Sequence, residues 1–115
     1  MTRILYWYPI SLSLIGVLIH LFGTLGLFQV EVTRAIHALM FTIDTLVVIG
    51  LLKKANWGYW LAILLYIEQS IMQPYWGYQS FVRGGGLYQL LVVCPLVIGA
   101  LAVLAFNKRW FIRAP

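Results

Sequence analysis

Four long apolar runs, separated by short polar or basic segments, occupy almost the whole chain. They cover about residues 5–28, 35–52, 57–73 and 87–106. A helix that spans the hydrocarbon core of a bilayer needs about 20 mostly apolar residues, and each run is close to that length. With 115 residues, the chain has no room left for a separate soluble domain. The pattern predicts one all-α domain, an integral membrane bundle of four transmembrane helices.

The composition agrees with this fold class. Hydrophobic residues make up 63% of the chain and charged residues 10%, whereas soluble domains have about 45–50% apolar and about 25% charged residues. The net charge of +5 comes from basic residues at the ends of the apolar runs, where orientation in the membrane and anionic lipid explain them. We therefore expect the lipid bilayer, and no nucleic acid, as a partner. The single cysteine, Cys94, excludes an internal disulfide and a cysteine metal cluster.

The distribution of lysine and arginine predicts the orientation. The side of the membrane with more of them in short loops is cytoplasmic, and an even number of spans places both termini on one side. That side carries six basic residues and the other side carries two, Arg34 and Arg83. We therefore predict a multi-pass protein of the cell membrane (inner or plasma membrane) with cytoplasmic N- and C-termini. The six are Arg3, Lys53, Lys54, Lys108, Arg109 and Arg113.

Ionisable side chains inside the apolar runs are the best indication of function. Such groups are costly in a membrane and usually line a partner, a cavity or a substrate path. Asp44 lies near the middle of the second run, and His20 and Glu68 lie toward the outer side of the first and third. Gln69 and Gln73 form a further polar row on the third helix. We predict that Asp44, Glu68, His20 and Gln69 form a ligand- or proton-binding site in the outer half of the bundle.

The chemistry of two carboxyl groups at similar depth is restricted. In a low dielectric they cannot both be charged at close range, so such a pair can hold a proton or a cation, and a nearby imidazole helps to keep one of them ionised. The alternative is that each acid is a hydrogen-bonding residue between helices, worth about 1 kcal/mol. His20 shares a face with Gly16 and Gly23, which also suits a close helix contact. His37 is expected at the membrane interface.

Three further features have structural interpretations. A bis-histidine haem needs both imidazoles at one level, and the predicted offset of His20 and His37 argues against it, so we expect no cofactor. The glycines at 84–86 lack a following Lys-Ser/Thr pattern and indicate a flexible connection, not a phosphate-binding loop. Pro74 is expected to end the third helix, and Pro95 to kink the fourth.

Three classes of function remain open. The first is binding or translocation of a proton, a cation or a small amphipathic solute at the carboxylate site. The second is an accessory subunit of a larger membrane complex, and the third is a membrane enzyme that performs acid–base chemistry on a lipid-soluble substrate. The enzyme is least favoured because the sequence has no recognisable nucleophile or metal-ligand set. A bundle of this size has little interior volume, so we expect a homo-oligomer or a larger complex.

The length of the chain and its number of helices resemble those of the small multidrug-resistance transporters. Those proteins also use a glutamate inside the membrane, and the likeness ends there. The first apolar run of this chain has no acidic residue, and its strong charge bias opposes the dual insertion associated with some of them. No residue role is therefore transferred from that family.

Overall fold

The fold is helical. The computed structural model describes residues 3–27 and 33–113, and those residues contain no strand. The helices, in chain order, are α1 (Arg3–Thr24), α2 (Arg34–Leu52), α3 (Asn56–Val82), a π-helical segment (Gln89–Val93), α4 (Cys94–Phe106) and α5 (Lys108–Phe111).

Three helices are long and apolar enough to cross a membrane. They are α1, α2 and the continuous helical stretch from Gln89 to Phe106. The fourth long helix, α3, has 27 residues but is less apolar, because Glu68, Gln69 and Gln73 interrupt its sequence. The predicted helical fold is therefore confirmed for the described residues, and three of their helices are candidate membrane spans.

Helices α1 and α2 are antiparallel neighbours, and glycines on α1 lie opposite polar side chains on α2. A Cβ atom at Gly16 would lie 2.8 Å from Asp44 Oδ2, and one at Gly23 would lie 2.6 Å from the His37 ring. Both the two glycines and the two polar residues are seven positions apart, which is two helical turns. Each glycine thus leaves the space that a polar side chain of α2 fills.

Helices α2 and α3 cross at a second pair of glycines. A Cβ atom at Gly50 would lie 2.4 Å from the Cα atom of Gly58, so the two backbones are in direct contact. Beside this crossing lies the apolar core, where the Tyr59 hydroxyl donates a hydrogen bond of 3.0 Å to the Leu104 carbonyl of α4. The fully buried members of this core include Ile10, Val47, Leu51, Ala62, Ala100, Leu104 and Phe111.

Pro74 does not have the expected effect, and a π-helical segment lies next to Pro95. α3 does not end at Pro74 but continues to Val82, since a proline removes one backbone donor and a packed helix can extend past it. Near Pro95 the chain forms the π-helical segment, in which the Cys94 N–H bonds to the Gln89 carbonyl five residues earlier. Pro95 then occupies the first turn of α4, where its missing N–H is tolerated.

The start of α1, the connection between α2 and α3, and α5 lie together at one end of the molecule, here called the basic end. The Arg113 N–H donates a 2.8 Å hydrogen bond to the Lys54 carbonyl. The Tyr6 ring stacks on the buried Phe111 ring at 5.4 Å between centroids, and its hydroxyl donates to the Leu51 carbonyl at 3.4 Å. These contacts place the start of α3 and the end of α4 at the same end.

Candidate functional site

A cavity of about 620 Å³ lies among the long helices. Its volume falls in the range of small-molecule sites, about 300–1,000 Å³. Side chains of α1, α3 and the π-helical segment with α4 form most of the wall, and α2 contributes His37 and Asp44. Aliphatic side chains such as Leu12, Ile15 and Val97 are interspersed with polar ones. The polar side chains include His20, His37, Asp44, Tyr66, Gln69, Gln73, Ser80, Tyr88 and Gln89.

Asp44 is the one acidic side chain in this wall among the residues that the structure describes. It is 5% exposed, and its carboxylate lies against Gly16 of α1. The nearest basic nitrogen is His20 Nε2, 3.8 Å from Asp44 Oδ2. That distance is too long for a hydrogen bond but short enough for an ion pair when the imidazole is protonated.

The two histidines of the chain form a pair beside Asp44. Their Nδ1 atoms are 2.9 Å apart, so one must carry a proton and the other must accept it. A neutral His20 that presents an Nε2–H to Asp44 accepts at Nδ1 from His37, whereas a protonated His20 donates from Nδ1 to His37. Protonating both rings fully would set two N–H groups against each other, so the pair keeps this bond with at most one positive charge.

A ladder of side-chain amides follows α3 along the cavity. Gln89 Nε2 donates to Gln73 Oε1 at 2.6 Å, Gln73 Nε2 donates to Gln69 Oε1 at 2.7 Å, and Gln69 Nε2 donates to Glu68 Oε2 at 2.7 Å. Gln73 and Gln69 each donate one of these bonds and accept one, so the ladder has one direction and ends on a carboxylate. It ties the π-helical segment to α3.

Tyr66 fixes α3 against α1 at the inner part of the wall. Its hydroxyl oxygen lies 2.7 Å from Ser13 Oγ and 3.1 Å from the Pro9 carbonyl oxygen. The carbonyl can only accept, so the tyrosine donates to Pro9 and the Ser13 hydroxyl donates to the tyrosine. Ser13 is 1% exposed and Tyr66 is 3% exposed, and both bonds are made inside the protein.

The structure brings some of the predicted site residues together and separates one. His20 and Asp44 are adjacent, and Gln69 lines the same cavity. Glu68 is exposed and does not line the cavity, and among the described residues its hydrogen bond to the wall comes from the amide of Gln69.

His37, Tyr66 and Gln89 belong to the wall but are not among the predicted site residues. We expected His37 at a different level from His20, yet its ring contacts that of His20 and its side chain is 4% exposed. The sequence did contain a signal for this contact, because His37 and Asp44 are seven residues apart and so are Gly16 and Gly23. The position of His37 at the membrane interface stays a prediction. No sequence pattern links Gln89 to the polar row on the third helix.

The wall lacks a metal-ligand set. Over residues 3–27 and 33–113, no group of three or more histidine, cysteine or acidic side chains could hold a metal ion. The chemistry that these residues support is ion pairing, hydrogen bonding and proton exchange.

Comparison with known protein families, with curated proteins and with solved structures finds nothing that matches this chain.

Proposed function

We propose that the chain crosses the membrane four times, with both termini in the cytoplasm of a cell whose inner or plasma membrane holds it. The hydrogen bond between Arg113 and Lys54 supports this topology, because it joins the segment after α4 and α5 to the connection that precedes α3. If α2 and α4 both cross, α3 has to cross between them. Its 27 residues extend about 40 Å at ~1.5 Å per residue, more than the hydrocarbon thickness of about 30 Å.

The charge distribution supports the cytoplasmic position of the basic end. Six of the eight basic residues lie there, and Arg34 and Arg83 lie toward the opposite end. Cysteines introduced at Lys54 and at Gly86, in a Cys94→Ala background, should react with a membrane-impermeant reagent from opposite sides of the membrane. Reaction of both cysteines from one side would contradict the four-span topology.

Within this topology, we propose that the protein binds a small amphipathic organic cation in the cavity, with Asp44 as its counter-ion. The observation that carries the proposal is a single buried carboxylate in the wall of a largely apolar cavity of about 620 Å³. Aliphatic side chains fit the apolar body of such a ligand. The rings of Tyr66, Trp76 and Tyr88 also line the cavity and offer π faces, which attract cations.

The histidine pair supports an exchange of the cation for a proton. Without a ligand, the site holds one proton between Asp44 and His20, whose Nε2 lies 3.8 Å from Asp44 Oδ2. A cation bound to the ionised carboxylate would take the place of that proton, and its charge would favour release of the proton. Cation and proton then compete for one carboxylate, which is the requirement for coupling movement of the solute to a proton gradient.

Two ligands of nearly the same shape test the site. Benzyltrimethylammonium carries a positive charge, and neopentylbenzene is its neutral carbon isostere. In purified protein reconstituted in nanodiscs, we expect the ammonium compound to compete with the isostere at one site and to bind more tightly than it does. Asp44→Asn should weaken binding of the ammonium compound at least about tenfold, or ~1.4 kcal/mol, and leave binding of the isostere unchanged.

Glu68→Gln is the matched control, since Glu68 is the other membrane-embedded acid and does not line the cavity. It should bind both compounds as the unaltered protein does. Equal binding of the ammonium compound by Asp44→Asn and unaltered protein would contradict the proposal.

The alternative is an accessory subunit of a larger membrane complex. The exposed Glu68 is the observation that favours it, because an acid on an outer helix surface calls for a protein partner. On this alternative the polar wall holds helices together, and neither amide variant changes the binding of any small cation.

A further inference from the structure

The outer surface of α3 carries a continuous stripe of exposed side chains, here called the α3 stripe. It consists of Leu64, Glu68, Ile71, Tyr75 and Tyr78. Leu64 and Ile71 are each 64% exposed, Tyr75 is 56% exposed and Tyr78 is 59% exposed. The positions are separated by four, three, four and three residues. A mean spacing of about 3.5 residues keeps side chains on one seam between two helices that cross in a left-handed manner.

The apolar members of the stripe suit contact with lipid, but Glu68 does not. An acidic side chain near the centre of a membrane helix costs about 2.5–3.5 kcal/mol on insertion scales. Its one hydrogen bond among the described residues comes from Gln69, which occupies Oε2. The described residues offer no second hydrogen-bonding partner, and a neighbouring chain could supply one.

We propose that the α3 stripe is the interface with a second copy of this chain. Two copies related by a twofold axis along the membrane normal would pack α3 against α3 in parallel. Their two Glu68 side chains would meet at the axis and share a proton, since two carboxylates at close range in low dielectric cannot both be charged. Each carboxyl group would retain the bond from its own Gln69.

Depth and symmetry favour a second copy over an unrelated partner. The strong bias of basic residues toward one end gives all copies the same orientation in the membrane. Glu68 of every copy therefore lies at the same depth, and a twofold axis beside α3 places the two acids opposite each other. An unrelated partner would need a polar group of its own at that depth. The same axis aligns Leu64 with Leu64 and Ile71 with Ile71. This inference does not depend on what the cavity binds.

Disulfide crosslinking tests the interface. Single cysteines at Leu64 and Ile71, in a Cys94→Ala background, should form a disulfide-linked homodimer when membranes are oxidised. Cysteines at Leu18 of α1 and Ile98 of α4 are the controls, because these side chains are 53% and 50% exposed but lie on other helices. Crosslinking at Leu64 and Ile71 that is no greater than at the controls, or that joins the chain to a different protein, would overturn the proposal.

Substitution of Glu68 tests the role of the acid. Glu68→Ala removes the hydrogen-bonding group and should raise the dimer dissociation constant, measured by energy transfer at varied protein-to-lipid ratios, about fivefold. That factor corresponds to ~1 kcal/mol, the size of one hydrogen bond between membrane helices. Glu68→Gln should dimerise as the unaltered protein does, since amides can pair with each other. An unchanged dissociation constant for Glu68→Ala would overturn the proposal, and the cysteine pattern decides the matter independently if that variant fails to fold.

Discussion

Replacing Gly50 with alanine should strongly destabilise the bundle. The new Cβ atom would lie 2.4 Å from the Gly58 Cα atom, whereas carbon atoms in contact are about 3.5–4.0 Å apart. The helices therefore have to separate by roughly 1 Å at their crossing, because a backbone atom cannot rotate away as a side chain can. Overpacking typically costs about 1–3 kcal/mol, and alanine returns about 1 kcal/mol of helix propensity. Taking the upper part of the range, we expect a net loss of about 2 kcal/mol.

Reversible unfolding in bicelles with increasing dodecyl sulfate measures this change. Gly86→Ala is the control, because the nearest atom to its Cβ would be 3.9 Å away, and its unfolding free energy should stay within about 0.5 kcal/mol of the original. If Gly50→Ala unfolds with the free energy of the unaltered protein, the backbone contact between α2 and α3 is not as the structure has it.

Two further substitutions separate the site from the scaffold. Gly16→Ala places a Cβ atom 2.8 Å from Asp44 Oδ2, and the carboxylate can rotate away from it. We therefore expect weaker binding of benzyltrimethylammonium and a smaller loss of stability than for Gly50→Ala. Unchanged binding would contradict this prediction. Tyr66→Phe leaves the Ser13 hydroxyl and the Pro9 carbonyl without their bonds to Tyr66, so unfolding should become easier by about 1–2 kcal/mol. The control is Tyr88→Phe at a 70% exposed position, and an equal effect of both substitutions would refute the assignment.

The helical class could be predicted from the sequence because apolar run length is a direct physical requirement of the bilayer. The end of α3 could not. Pro74 removes one backbone donor, and whether a helix continues past it depends on packing around the following turns, such as Gly77 against Leu90. The π-helical segment before Pro95 is likewise a local adjustment that no residue pattern specifies.

The candidate site could be predicted in part for a similar reason. Depth along a helix follows from residue number, and on this basis His20 and Asp44 were predicted to lie at comparable levels. Rotation of a helix about its axis depends on its neighbours, and this decides that Gln69 lines the cavity while Glu68 is exposed. Contacts between distant positions, such as Gln73 with Gln89, are set by the connection between helices.

The most direct test of the account is the distance between a bound cation and Asp44. The chain contains a single aspartate. Growth on aspartate labelled with ¹³C at the side-chain carboxyl carbon, under conditions that suppress transfer of the label to other amino acids, therefore labels Asp44 alone. Solid-state NMR dipolar recoupling with ¹⁵N-labelled benzyltrimethylammonium in proteoliposomes should give a ¹³C–¹⁵N distance of about 5 Å, as expected for an ion pair. If the site is saturated with ligand and the Asp44 carboxyl signal shows no dephasing, the proposal that this carboxylate binds the cation is contradicted.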